Sequence, residues 1–297
     1  MTSPAAYDEL GLFHENATEF DLPYDGPPVV QRELIEVAPG RRLSALVWGE
    51  RSPELVLLHG GAQNAHTWDT VAMALGRPLL ALDLAGHGHS DGGAGGSFDL
   101  GANAADIATT IEALAPRAEL VAGMSLGGLT AIALAGHAPA LVPRLVLVDV
   151  TPGVDDEKAS SITAFIDGPE SFADFDEILA RTIEFNPTRS ESSLRRGILH
   201  NAVQREDGSW VWRYQRFRAS EVTGRPEIAP LWDTLGATTM PLLLARGADS
   251  PVVDDADVAE LRRRRPDAAI EVVEGAGHSI QGDRPIELAA LLDAFAS

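Results

Sequence analysis

Residues 119–129, Glu-Leu-Val-Ala-Gly-Met-Ser-Leu-Gly-Gly-Leu, decide how the rest of the chain is interpreted. They join a short apolar run, a G-x-S-x-G pattern centred on Ser125 and the start of a helical pattern. In such a strand–turn–helix the glycines Gly123 and Gly127 let the backbone close sharply, and the serine hydroxyl stands above the sheet. The N–H of Leu126 lies beside it at a helix N-terminus, where negative charge is favoured. The stretch predicts Ser125 as a nucleophile and Leu126 as an oxyanion donor.

Apolar runs of about four to six residues recur on both sides of this stretch. Runs of this length are typical of strands buried on both faces of a parallel sheet. The predicted strands are 54–58, 78–82, 119–122, 145–150, 241–245 and 270–273. Helical patterns alternate with them at 102–114, 126–136, 254–264 and 285–295. The alternation predicts an α/β fold with a mostly parallel, doubly wound sheet.

The first part of the chain does not follow this alternation. Residues 1–30 are irregular and rich in proline towards their end, which is typical of an arm lying on a domain. Two short strand patterns follow at 32–37 and 43–48, and the turn Pro39-Gly40 between them predicts an antiparallel pair.

The alternation is interrupted again after the strand that ends near residue 150. No strand of the buried type occurs in residues 152–235, whereas 174–185 and 190–203 have amphipathic helical patterns. Ligands of open α/β sheets bind at the carboxyl ends of the strands, so we expect this insertion to be a lid there. The predicted organisation is an arm (1–30), an α/β core (31–151 and 236–297) and a helical lid (152–235).

The loop after the first buried strand reads His59-Gly60-Gly61-Ala62. Acyl transfer needs two donors that converge on one oxygen, and the second commonly comes from this loop. We predict that the N–H of Gly61 is that donor. His59 precedes the loop, and we expect it to fix the loop by hydrogen bonding.

A histidine follows the last predicted strand, in Gly277-His278. In the chain order nucleophile, acid, base, the base belongs on this loop. An imidazole that is neutral near pH 7 can take the serine proton, so His278 is the predicted general base.

Two aspartates compete to orient His278. Asp249 follows the strand 241–245. In most proteins of the fold that these motifs resemble, the acid follows this strand in a G-x-x-D arrangement, which counted from Gly247 reaches Ser250, so Asp249 falls one residue early. Neighbouring residues of a strand point to opposite sides, which makes that offset costly. Asp149 ends a buried strand, where a carboxylate needs a partner such as an imidazole N–H. We predict Asp149 as the acid, with Asp249 as the alternative.

The substrate pocket is harder to read from residues alone. Met124 adjoins the nucleophile and Trp68 follows the oxyanion loop, so both are candidate pocket walls, with core packing as the alternative. The predicted lid adds Trp210, Trp212, Tyr214 and Phe217, and the sequence does not say which of them faces the substrate.

Taken together, these motifs resemble the α/β-hydrolase family. The matching stretches occur in the family's order and extend from about residue 40 to the C-terminus, apart from the predicted lid. They are His59-Gly60-Gly61, Asp83-x-x-Gly-His-Gly-x-Ser90, Gly123-x-Ser125-x-Gly127-Gly128 and Gly277-His278. The run Asp149-Val-Thr-Pro152 is similar to a branch of small esterases whose acid follows the sixth strand, which supports Asp149.

The resemblance implies a serine hydrolase that acts on a small-molecule carboxylic ester or related acyl compound without a cofactor. Carbon–carbon bond hydrolases and cofactor-free perhydrolases share the triad and stay open, and so does a non-catalytic receptor. A metallohydrolase is disfavoured, because His87-x-His89-x-Asp91 is followed by Gly92 where a dinuclear site needs histidine.

Composition narrows the partners. The formal net charge of −21 over 297 residues disfavours binding to nucleic acids or anionic lipid surfaces. There is no cysteine, which excludes disulfides and thiol catalysis. No secretory signal or membrane span can be read, so we expect a cytoplasmic protein. The sequence does not indicate an oligomeric state.

Overall fold

A computed structural model describes residues 7–93, 99–215 and 228–297. Eight strands form one sheet in the order β1-β2-β4-β3-β5-β6-β10-β11. Their bounds are β1 Val30–Ala38, β2 Arg41–Trp48, β3 Leu55–Leu58, β4 Leu79–Asp83, β5 Leu120–Met124, β6 Leu145–Val148, β10 Leu242–Gly247 and β11 Ala269–Val273. β2 pairs antiparallel with both β1 and β4, so it alone among these eight strands runs against the others, and all pairings from β4 to β11 are parallel. The α/β architecture with a mostly parallel, doubly wound sheet that the sequence predicts is confirmed.

The central strands lie in the interior of the protein because their residues are mostly apolar. Every residue of β3, β4, β5 and β6 is buried, because helices cover both faces of the sheet. The covering helices are α1 Phe13–Glu19, α2 Asp69–Leu75, α3 Leu100–Leu114, α4 Leu126–His137, α8 Leu231–Ala237, α9 Asp255–Arg264, α10 Ile280–Asp283 and α11 Pro285–Ala296. They contribute to two large apolar clusters, one containing α3, α4 and α8 residues and the other α1, α2 and α11 residues.

The predicted strands and the four predicted core helices all occur near their expected positions. The arm, however, is not irregular throughout, because it contains α1. Phe13 of this helix is buried and packs edge-on against Trp48, with ring centroids 5.1 Å apart. A short segment with few apolar residues shows little helical periodicity in its sequence. The helix α1 is therefore stabilised mainly by tertiary packing.

The 152–235 segment contains α5 Ser160–Ile166, α6 Phe175–Phe185 and α7 Glu191–Asn201. It also contains a small antiparallel sheet, β7-β9-β8, formed by β7 Ser171–Phe172, β8 Ala202–Gln204 and β9 Trp210–Trp212. These strands were not predicted, because two or three residues are too few for an alternating pattern.

Helix α8 begins within the range expected for the lid but packs with the core. Trp232 and Leu235 belong to the same apolar cluster as α3 and α4. The division into arm, core and lid stays a prediction. Because α8 packs with the core, the end of the predicted lid lies before Leu231. No helix among the described residues has the length and apolarity needed to cross a lipid bilayer.

Candidate active site

Ser125 lies between β5 and α4 in a backbone conformation that L residues rarely adopt, with φ 50° and ψ −118°. Two glycines make this sharp turn possible, because each lies so close to neighbouring backbone that a side chain would overlap it. A Cβ at Gly123 would overlap the carbonyl of Gly127, and a Cβ at Gly127 would overlap the carbonyl of Leu58. Strain of this kind persists only where the surrounding structure imposes it, and it is common at functional sites.

His278 follows β11 and approaches the end of β6. Its Nδ1 lies 2.8 Å from Oδ2 of Asp149. An ionised carboxylate only accepts hydrogen bonds, so Nδ1 carries the proton and Nε2 presents a lone pair. Nε2 is buried and has no hydrogen-bond partner among the described residues. His278 and Ser125 line the same cavity.

Asp149 is fully buried and is also in the left-handed region, with φ 50°. Besides His278, its carboxylate accepts the N–H of Gly247 at 2.9 Å and the hydroxyl of Ser250. Ser250 occupies the position where the G-x-x-D arrangement would have its acid, and here it donates to the acid instead. These donors satisfy a carboxylate whose burial would otherwise be costly.

Asp249 is arranged differently. It is exposed and lines the cavity, and its backbone N–H donates to the carbonyl of Ala276 at 2.9 Å. The structure therefore brings Asp149, and not Asp249, into hydrogen-bond contact with His278.

The loop after β3 offers one free donor beside Ser125. The N–H of Gly60 donates to Gln63 Oε1 at 3.0 Å, and the N–H of Ala62 donates to His87 Nε2 at 3.2 Å. Within the described chain, the N–H of Gly61 between them has no acceptor. The N–H of Leu126, the first residue of α4, also has no acceptor among the described residues, as expected for a helix N-terminus.

Two buried histidines support this loop. His59 Nε2 accepts the N–H of Leu84 at 2.9 Å, so its Nδ1 donates to the carbonyl of Gly60 at 2.7 Å. Burial lowers the pKa of both His59 and His87, that of His87 to about 3. Neutral rings hold the loop without adding charge near the serine.

The cavity above Ser125 has a volume of about 520 Å³, within the usual range for small-molecule sites. Met124 and Trp212 line it, while the candidate Phe217 lies outside the described residues. The prediction for Trp68 is corrected: its side chain is completely buried in the apolar core below α2 and does not line the cavity. The large apolar surface of a tryptophan is buried more completely in the core than it would be at the wall of a cavity beside a polar loop.

The sequence did not reveal a buried polar cluster where the arm, α7 and the core meet. His66 Nδ1 lies 2.9 Å from Asp69 Oδ2, and His66 Nε2 lies 3.1 Å from Glu9 Oε1. The ring of His200 stacks on that of His66, with centroids 3.8 Å apart. Burial lowers the pKa of His66, but Asp69 and Glu9 outweigh it and raise that pKa to about 9.

Within the described residues, His66, Asp69 and His200 form a group with metal-ligating potential, whose candidate ligand atoms all lie within 4.8 Å of one another. Both nitrogens of His66 are occupied by carboxylate hydrogen bonds, so the arrangement serves as an ionic junction between segments. His66 and Asp69 are neighbours in the sequence, but Glu9 and His200 are far from them, so only the polar residue types could have indicated the cluster.

A family model described as the alpha/beta hydrolase family matches residues 55–291. The chain is 44% identical over 286 residues to esterase Rv0045c of Mycobacterium tuberculosis, covering 94% of this chain and 92% of that protein. A crystal structure of that esterase superimposes with a TM-score of 0.84 at 42% identity, covering 98% of this chain and 99% of the other.

More distant relatives differ in substrate. The sn-1-specific diacylglycerol lipase ABHD11 of Xenopus laevis is 30% identical over 248 residues, covering 78% of this chain and 76% of that protein. The crystal structure of E-2-(acetamidomethylene)succinate hydrolase has a TM-score of 0.79 at 23% identity, covering 90% of this chain and 99% of the other. At that identity the likeness concerns the fold alone.

Proposed function

The chain belongs to the alpha/beta hydrolase family, and from this premise we propose that it is a serine esterase that cleaves small-molecule carboxylic esters through an acyl-enzyme. The observation that carries the proposal is the pairing of His278 with the buried Asp149, which leaves Nε2 unpaired at the cavity of Ser125. The 44% identity to an enzyme named an esterase supports ester chemistry over the other reactions of the fold.

In the first half-reaction, Ser125 Oγ attacks the ester carbonyl carbon while its proton passes to His278 Nε2. Asp149 holds the Nδ1–H and stabilises the imidazolium. The carbonyl oxygen becomes an oxyanion between the N–H groups of Gly61 and Leu126. His278 then returns the proton to the departing alkoxide, and the alcohol leaves behind an acyl-enzyme.

In the second half-reaction, water attacks the acyl carbon of the ester on Ser125, and His278 takes a proton from that water. The same two N–H groups receive the second oxyanion. Collapse of this intermediate returns the proton to Ser125 Oγ and releases the carboxylic acid, so neither a metal nor a cofactor is required.

We also propose that the 152–235 segment is the lid that selects the substrate. Side chains from α5, α6, α7 and β9 line the cavity opposite the core loops, among them Phe165 and Trp212. Their aromatic surfaces suit an apolar portion of the substrate.

A fluorophosphonate probe tests the nucleophile. We expect the wild-type protein and a Ser171→Ala control, which removes an exposed serine, to be labelled at Ser125. Ser125→Ala should resist labelling and lose at least ~10³-fold in kcat on an activated ester, with unchanged circular dichroism. Labelling at another residue, or near-normal turnover by Ser125→Ala, would refute the proposed function.

A further inference from the structure

One cationic side chain of the cavity lacks a counter-ion among the described residues. Arg189 lies in the turn between α6 and α7 and lines the cavity. Its Nη2 donates to Ser193 Oγ at 2.6 Å. Its Nε is buried without a hydrogen-bond partner, and the guanidinium forms no ion pair with any described carboxylate. Two of its three nitrogens therefore have N–H groups that no described residue uses.

A second arginine that lines the same cavity does have hydrogen-bond and ion-pair partners. Arg196 on α7 is 4% exposed and donates to Ser192 Oγ at 2.8 Å and to the carboxylate of Glu19. Its Nη1 also lies 3.7 Å from Oε2 of Glu15. The arm thus neutralises Arg196 but not Arg189, although both line the cavity.

The surroundings of Arg189 make its charge costly. Burial lowers the pKa of its guanidinium, while the charges of Asp283 and Glu19 act in the opposite direction and Arg196 opposes them. Asp283 is not within ion-pair distance, and its Oδ2 already accepts the N–H of Gly277 at 2.9 Å. A partly desolvated cation without a partner destabilises the fold, so its presence in a ligand cavity requires a reason.

Arg189 also lies against α10, the short helix that follows the proposed catalytic base in the chain. Its guanidinium lies against Gly282 of α10, where an added Cβ would be 2.8 Å from Cζ. Gly282, His278, Ser125 and Arg189 line the same cavity. A molecule whose ester group is at Ser125 can therefore extend within this cavity to the guanidinium.

We propose that Arg189 binds a carboxylate of the substrate, so that the preferred esters carry a carboxylate group besides the ester bond. This inference rests on the proposed function. The planar guanidinium donates two parallel hydrogen bonds to a carboxylate. A phosphate dianion suits the site less well, because Asp283, Glu19 and the acidic surface oppose a second negative charge.

Two matched substrates test the proposal. One is the alkyl half-ester of a short linear dicarboxylic acid, and the other is the alkyl ester of the monocarboxylic acid with the same chain length. We expect the wild-type protein to have the higher kcat/KM on the half-ester. Arg189→Met should lower the half-ester to neutral-ester ratio of kcat/KM by about 10- to 100-fold, mostly through KM, since the contact is made in the ground state too.

Two further variants refine the test. Arg189→Lys keeps the charge without the planar fork and should retain part of the preference. Arg205→Met removes an exposed positive charge from the same segment, outside the cavity, and should leave the ratio unchanged. An equal fall in Arg205→Met would show that the long-range field of the protein, and not Arg189, sets the preference.

Binding of the half-ester to Ser125→Ala, measured by calorimetry, separates the two proposals. Binding that weakens about 10-fold or more when Arg189→Met is added supports the carboxylate site even if catalysis fails. Unchanged binding, or an unchanged ratio in an enzyme that turns over both esters, would overturn the role of Arg189 and leave the esterase proposal standing. Absence of turnover of any ester would count against the esterase proposal alone.

Discussion

The strands that end at Ser125 and Asp149 are buried at every residue, whereas β9 of the 152–235 segment has no buried residue at all. The helices differ in the same way, since most residues of α4 are buried and none of α5 is. Local opening costs less where few apolar contacts hold a segment. The proposed nucleophile and acid therefore lie on the more rigid region, and the surfaces proposed to contact the rest of the substrate lie on the more easily rearranged one.

This comparison predicts that substitutions in the two regions act on different quantities. Changes at the sheet edge should reduce kcat with little effect on which ester is preferred. Changes in the 152–235 segment should alter preference, and changes at the junction between the regions should alter stability.

The largest expected effect is at the acid. Asp149→Asn removes the charge that stabilises the imidazolium of His278, and in serine triads this loss reduces kcat by ~10⁴-fold. Asp249→Asn, in which an exposed side chain changes, should lose less than ~10-fold. Steady-state kinetics on an activated ester measure both. A large loss at Asp249 with little at Asp149 would contradict the assignment and leave the roles of Ser125 and His278 untouched.

The junction between the two regions should make stability depend on pH. The pKa of His66 is raised to about 9 in the folded protein from 6.5, so the folded state binds the proton more tightly. This contribution is complete below the unfolded pKa and is lost as the pH rises through the folded one. We expect the free energy of unfolding to fall by about 1–3 kcal/mol between neutral pH and pH 9.

Denaturant unfolding of His66→Gln provides the comparison, because this variant should lack most of that decline. His200 does not interfere in this range, since burial and the charge of His66 lower its pKa well below 6.5. His14→Gln, which replaces an exposed histidine of the arm, controls for loss of a histidine in general. The same alkaline decline in wild-type protein and His66→Gln would exclude the junction as its source.

The smallest expected effect concerns the cavity wall. Phe165 lines the cavity and packs against Phe185 and Trp212, with centroids 5.4 Å and 5.6 Å away. Phe165→Ala should enlarge the apolar space and shift kcat/KM towards longer acyl chains by up to ~10-fold. A chain-length series of esters measures this shift.

Phe175→Ala is the matched control for that series. Phe175 belongs to the same segment but packs against Trp210, with centroids 5.1 Å apart, and does not line the cavity. The chain-length preference of this variant should match that of the wild type. A uniform loss of kcat in Phe165→Ala, without a change in preference, would mean that the segment supports catalysis and does not select substrates.

The two regions also differ in how regular their sequence patterns are, and this difference explains which elements could be predicted from the sequence. β3, β5 and β6 are continuous apolar runs, and the elbow around Ser125 has glycines at fixed offsets, so each is visible within about ten residues of chain. β7, β8 and β9 are too short for any period. Helix α1 becomes helical through packing of Phe13 against Trp48, a contact between distant parts of the sequence.

The sequence by itself determined the α/β architecture, the turn on which Ser125 lies and the loop that carries His278, because these depend on local patterns of apolar residues and glycine. The sequence favoured Asp149 without excluding Asp249, and only the tertiary structure decided that Asp149 contacts His278, that Trp68 packs inward, and that Arg196 has carboxylate partners while Arg189 has none among the described residues. Each of these depends on distances between residues that are far apart along the chain. Local periodicity contains no information about such distances, whereas burial and charge pairing are set by them.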